Sequence, residues 1–184
     1  YSHHGPIEMV TVMGDNVLIM GGPSVIGRLT GGSDLNWDTD WIIHDTGPVA
    51  PSAWTKDGAA MYYVTPTGVH VFNGAETQNI TGALTQEFRN ARLDPSTATI
   101  GVVPGKELVV CWSVVDGGPN TFVLDMKHNT WREVSRGAWQ FVTVENAGEH
   151  RLYYPVRTTD EYTKLVARWR HGFESDDGAL GTAV

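Results

Sequence analysis

A chain of 184 residues with 41% hydrophobic side chains can build one good-sized packed core, which excludes wholesale disorder. Its 21 acidic against 13 basic residues leave a formal charge of −8, which excludes a surface that grips nucleic acid through its phosphates. The single cysteine, Cys111, excludes an intrachain disulfide and a thiolate zinc site, and its neighbours Val110 and Trp112 predict a buried structural thiol.

The chain opens at Tyr1 with "YSHHGPIEMV", which reads like sequence from inside a protein, and stops abruptly at "GALGTAV". The expectation is a piece of a longer polypeptide. The adjacent His3 and His4 read as a terminal pair, not as a metal site. "NVLIMGG" is the first strong strand, and "SVIGRLTGG" follows it across a Pro-containing turn.

"GGSDLNWDTDW", Gly31 to Trp41, then gathers Asp34, Asp38 and Asp40. A helix-loop-helix calcium loop needs Gly at its sixth position and Glu at its twelfth. Counted from Asp34 these are Thr39 and Asp45, so the pattern fails. An Asp-box also fails, because no Gly separates Asp34 from Trp37. A solvated inter-strand loop is expected, with Trp37 the tryptophan most open to solvent.

"AAMYYVTPTGVHVFNG" is a hairpin, and "GALTQEFRN" is the one helical turn, with Leu84 and Phe88 four apart on one face. The sequon Asn79-Ile80-Thr81 lies between them. Further on, "ELVVCWSVV", "NTFVLDM", "QFVTVEN", "HRLYYPV" and "KLVARW" all read as strands. Gly14-Asp15-Asn16, Asp57-Gly58, Asn73-Gly74, Pro104-Gly105, Asp116-Gly117 and Asp177-Gly178 supply turn chemistry, since these residues tolerate positive φ. Asp125 and Asn129 should shape the turn of "FVLDMKHNTW", with Trp131 wedged into the core. "TTDEYTK", Thr158 to Lys164, reads as a polar hairpin tip.

A turn followed by a strong apolar strand recurs near Val17, Ala59, Glu107 and His150, at intervals of roughly 42, 48 and 43 residues. Spacings near 40–50 residues are those of four-stranded propeller blades. The expected fold is therefore all-β, a β-propeller or propeller-like repeat of four-stranded antiparallel blades. Four blade-like repeats fall near 8–45, 46–90, 97–135 and 137–178. About four blades make either a small closed ring or a part of a larger one, and the abrupt ends favour the second as the expectation.

"NVLIMGGPSVIGRLTGG", "WIIHDTGPVAPSAWTKDGAAMYYVTPTGVHVFNGAETQNIT" and "NTFVLDMKHNTWREVS" resemble the propeller-type structural proteins of tailed bacteriophage virions. The resemblance rests on two hairpins, Tyr62 to Gly74 and Phe122 to Trp131, with "RWRHGFESDDGAL" leading towards a next blade. It implies a hub, nozzle or tail-accessory protein of the virion tail. Such a protein forms a homo-oligomeric ring with other virion proteins, around duplex DNA that passes through without specific binding. The −8 charge would then suit a wall past which phosphates slide. Gly21-Gly22 and Asp125 to Trp131 also resemble pieces of a kelch repeat, a protein-interaction module, although they fall in different repeats.

No catalytic, cofactor or metal residue is assigned, and no enzyme is expected. His44, His70, His128, His150 and His171 share no ligand spacing. Asp45, Asp57, Asp116, Asp125 and Glu145 are the candidates for the carboxylate pair a glycosidase needs, but turn chemistry accounts for each. G-x-S-x-G is absent, and the Gly-rich runs precede no helix. Of Trp37, Trp41, Trp54, Trp112, Trp131, Trp139 and Trp169, Trp131 and Trp139 are expected to pack between blades. An exposed Trp37 keeps open a host-surface glycan as partner, through a carbohydrate-binding or glycoside-cleaving propeller.

Overall fold

The computed structural model describes residues 6–13, 17–31, 37–90, 94, 97–113, 119–134, 138, 140–156 and 165–169. Four antiparallel sheets follow one another along the chain, and in each the strands pair only with their neighbours in sequence. The first contains β1 (Met9–Met13), β2 (Val17–Gly22), β3 (Val25–Thr30) and β4 (Asp38–His44). The second contains β5 (Trp54–Asp57), β6 (Ala60–Thr65), β7 (Gly68–Phe72) and β8 (Thr77–Asn79). β9 (Thr99–Val103), β10 (Glu107–Ser113), β11 (Pro119–Asp125) and β12 (Thr130–Val134) make the third. The fourth has three strands among the described residues: β13 (Val142–Asn146), β14 (Glu149–Val156) and β15 (Leu165–Arg168).

The strong hairpins of the sequence form as expected. β2 pairs with β3, β6 with β7, β10 with β11 and β14 with β15. Gly58, Gly74 and Gly105 adopt positive φ, as their turns require. The "GALTQEFRN" segment is a 3-10 turn over Gly82–Leu84 running into a short helix, α1 (Thr85–Asn90), with Phe88 buried. One expectation is corrected. Asp38 to Trp41 belong to β4, not to a loop, because Arg28 of β3 holds Asp40 by an ion pair at 2.9 Å and Trp41 covers Gly27. Asp34 lies outside the described residues.

The chain divides into two compact units, Tyr1–Asn90 and Ala91–Val184. In the first, the two sheets share one apolar cluster. Met9, Met13, Ile19 and Ile26 come from the first sheet, and Met61, Tyr63 and Phe72 from the second. β1 shows why, since Met9, Thr11 and Met13 point inwards while Val10 and Val12 point out. The connection from β4 to β5 runs across the β2–β3 turn. Any side chain at Gly47 would collide with the carbonyls of Gly22 and Val25. Beyond it, Val49 N–H donates to the Val64 carbonyl at 3.1 Å and Val64 N–H to Ala53 at 2.8 Å.

The second unit repeats the arrangement. Val103, Val109 and Val123 of the third sheet pack on Leu152 of the fourth, with Val134, Phe141 and Trp169 at the margins. β9 is buried along its whole length. Thr143 Oγ1 of β13 donates to the Val102 carbonyl at 2.8 Å. The close approach depends on Gly101, where an added Cβ would lie 2.5 Å from Phe141 Cβ and 2.7 Å from Leu152 Cδ1.

Candidate functional site

Among the described residues the candidates of the sequence are dispersed over separate elements. Asp45 sits at φ 69° in the connection after β4, and Asp57 closes β5. Glu145 lies in β13 opposite His150. Asp116 and His171, like His3 and His4, fall outside the described residues. Asp125 shapes its turn as anticipated: Oδ1 accepts from the backbone N–H of Lys127 at 2.9 Å and of His128 at 3.0 Å, and Asn129 takes φ 52°. Its other oxygen meets His128 Nδ1 at 2.8 Å. That side-chain bond, with the backbone donors, lowers the Asp125 pKa to about 2.

His70 is half-buried in β7, stacked on Tyr63 at 5.5 Å, with Nε2 3.3 Å from Asn79 Nδ2, and burial lowers its pKa. The sequon is spent internally. Asn79 Oδ1 accepts from Thr81 N–H, and the wholly buried Thr81 hydroxyl accepts from Val69 N–H at 2.8 Å. Cys111 is buried, its Sγ accepts from Ala138 N–H at 3.2 Å, and desolvation raises its pKa. No group of three metal-ligating side chains occurs among the described residues. The polar tip Thr158 to Lys164 lies outside them.

The tryptophans sort differently from expectation. Trp37 is exposed at 60%, as anticipated. Trp131, expected as a core wedge, is only half-buried on the edge strand β12, because an edge strand has sheet on one side alone. Trp112 on the central strand β10 is the buried one among the described residues, stacked on Phe122 at 5.1 Å. Trp169, just after β15, packs edge-on against Phe141 and Tyr154. Trp139 lies outside the described residues.

Two features escaped the sequence reading. Glu107, at 2% exposure, is the one buried carboxylate among the described residues. Arg132 of β12 donates to its Oε1 at 2.7 Å, and the Trp169 indole N–H donates to Oε2 at 3.0 Å. One carboxylate thus ties the third sheet to the fourth. Its signal was the acid opening the apolar run "ELVVCW", a position where a charge persists only if partnered. The second feature is the placement of exposed apolar side chains. Val10 (55%) and Val12 (48%) stand on the outer side of β1, while Val142 (52%), Val144 (42%) and Val166 (61%) stand on the outer side of the fourth sheet. Alternation in "MVTVM" and "VTVEN" carried that signal, but apolar residues on both faces hide which face is inside.

No protein-family model matches the chain, and none of the curated proteins searched matches it.

Proposed function

We propose that this chain is a structural protein of a tailed bacteriophage virion. It builds the tail, hub or nozzle assembly around the DNA exit channel, and its sheets are blades of a β-propeller that continues beyond them. The observation carrying this reading is the repetition of sequential antiparallel sheets, stacked in consecutive pairs through their apolar faces. Blades of a propeller pack in that manner. The hairpins on which the phage resemblance rests are β6–β7 and β11–β12, and both are tight antiparallel pairs. The net charge of −8 suits a wall along which duplex DNA moves without adhering. In this role the chain works through contacts with copies of itself and with other virion proteins, and no residue is a catalyst.

Native mass spectrometry of the purified chain tests the reading. A closed ring of about five, six or twelve copies supports it, while a stable monomer at micromolar concentration counts against it. The exposure of Trp37 favours a second reading, a glycan-binding tail component. Under that reading wild type binds on a glycan array and Trp37→Ala abolishes the binding; under the first, the array shows no binding by wild type either.

A further inference from the structure

The seven large hydrophobic side chains that stand exposed among the described residues are not scattered. Val10 and Val12 belong to the first sheet, Trp37 directly precedes its strand β4, and Ile7 lies two residues before β1. Val142, Val144 and Val166 belong to the fourth. Isolated exposed apolar residues need no explanation, but grouped ones mark an interaction surface.

Register defines both surfaces. Along β1, Val10 and Val12 face away from the cluster that Met9 and Met13 enter, and Glu8 precedes them in the same alternation. On this side Trp41 lies flat over Gly27, which pairs with it across β3 and β4. In the fourth sheet Val142 stands opposite Tyr153, Val144 opposite Arg151, and Tyr153 opposite Arg168. All of these share the side turned away from the buried Leu152 and Tyr154.

Each surface also carries a charge that the other can meet. On the fourth sheet a single carboxylate, Glu149, serves both Arg151 (2.8 Å) and Arg168 (3.3 Å), leaving one guanidinium charge in excess. On the first sheet Glu8 makes no ion pair among the described residues, and Lys56 donates to the Val12 carbonyl at 3.0 Å at the far end of β1, leaving Glu8 as the acid at the near end. A valine surface bordered by an acid therefore matches a valine surface bordered by a surplus arginine. Each sheet already stacks on its partner sheet by its other, apolar face.

We propose that the outer face of the first sheet in one copy docks on the outer face of the fourth sheet in a second copy. The contact is head-to-tail, joining two different surfaces, so repeated contacts close a ring or continue as a filament. This deepens the ring-building role above and rests on it for the meaning of the assembly.

The test is sedimentation velocity on the full chain carrying Val10→Glu or Val166→Glu, with circular dichroism confirming that each variant keeps its strand content. Wild type is expected to form oligomers. Each variant alone should be monomeric, with at least tenfold weaker association. An equimolar mixture should give dimers, because one chain retains the first surface and its partner the second. If either glutamate unfolds the chain, Glu8→Arg and Arg168→Glu replace them: each alone should weaken association, and both in one chain should restore it. Wild-type oligomers that persist in both variants overturn the interface while leaving the ring-building role standing. Dimers of either variant alone also overturn it, because they would show a self-complementary face. A monomeric wild type overturns both proposals.

Discussion

Glu107 shows how much a single side chain carries here. A carboxylate removed from water is tolerable only while partners replace its lost hydration, and Arg132 and Trp169 occupy both oxygens. Glu107→Ala leaves the guanidinium and the indole N–H without their acceptor. It should cost about 3 kcal/mol, at the lower end for a broken buried pair because Arg132 is partly solvated. Urea unfolding at neutral pH measures this directly. Asp125 behaves differently, since it is partly exposed and its bonds lie within one turn. Folding lowers its pKa from 3.8 to about 2. The stabilisation linked to ionised Asp125 is therefore complete above about pH 4 and lost as the pH falls through about 2. The difference in Tm between wild type and Asp125→Ala should shrink across that interval and stay flat above it. Both residues looked alike in the sequence, each an acid at a strand end. Only the fold reveals that one faces the interior and the other solvent.

At the scale of the element, the central hairpins and the apolar edge strands β13 and β15 were legible, and the polar edge strands were not. β6–β7 and β10–β11 combine β-branched and aromatic runs with Gly turns, and their central strands are buried on both faces, so composition alone marked them. β4, β5 and β8 read "DTDWIIH", "WTKD" and "TQN", with many polar side chains in solvent. Pairing on one side gives such strands no apolar pattern to display. The β13–β14 turn, expected before His150, forms there, but the residue that opens it gave no hint of its geometry. Ala147 at φ 52° and Gly148 at φ 77° form a two-residue connection between Asn146 and Glu149, and alanine is a poor signal for that geometry. Ala147→Asn should relieve left-handed strain and raise stability by about 0.5–1 kcal/mol, read from the urea midpoint. Gly101 is the opposite case. It lies in extended backbone, and what it needs is room. Gly101→Ala forces Phe141 and Leu152 away and should cost about 1–3 kcal/mol through overpacking, measurable by thermal denaturation.

For the molecule as a whole, composition spoke most directly through charge. The isoelectric point near 5.2 predicts ready solubility at neutral pH and a solubility minimum as net repulsion vanishes near pH 5. Turbidity across pH 4 to 8 should peak there. The β-rich sheets were readable from the recurring 42-to-48-residue spacing, because that spacing is the length of chain one meander consumes. The exposed valine faces were not, since periodicity cannot say which side of a two-faced strand meets solvent.

Every strand described pairs only with the strand before or after it in the sequence. Contacts of short sequence separation cost little loop-closure entropy, so each sheet can form without waiting for distant chain. Synthesis delivers about 5–20 residues per second, whereas hairpins close in microseconds. A ribosome needs seconds to extrude each successive sheet, and in that interval the preceding one has time to pair. All the residues of the first apolar cluster lie before Asn73. The first unit can therefore complete its interior while the second is still being translated, and the nascent chain passes through assembly as a series of short closures.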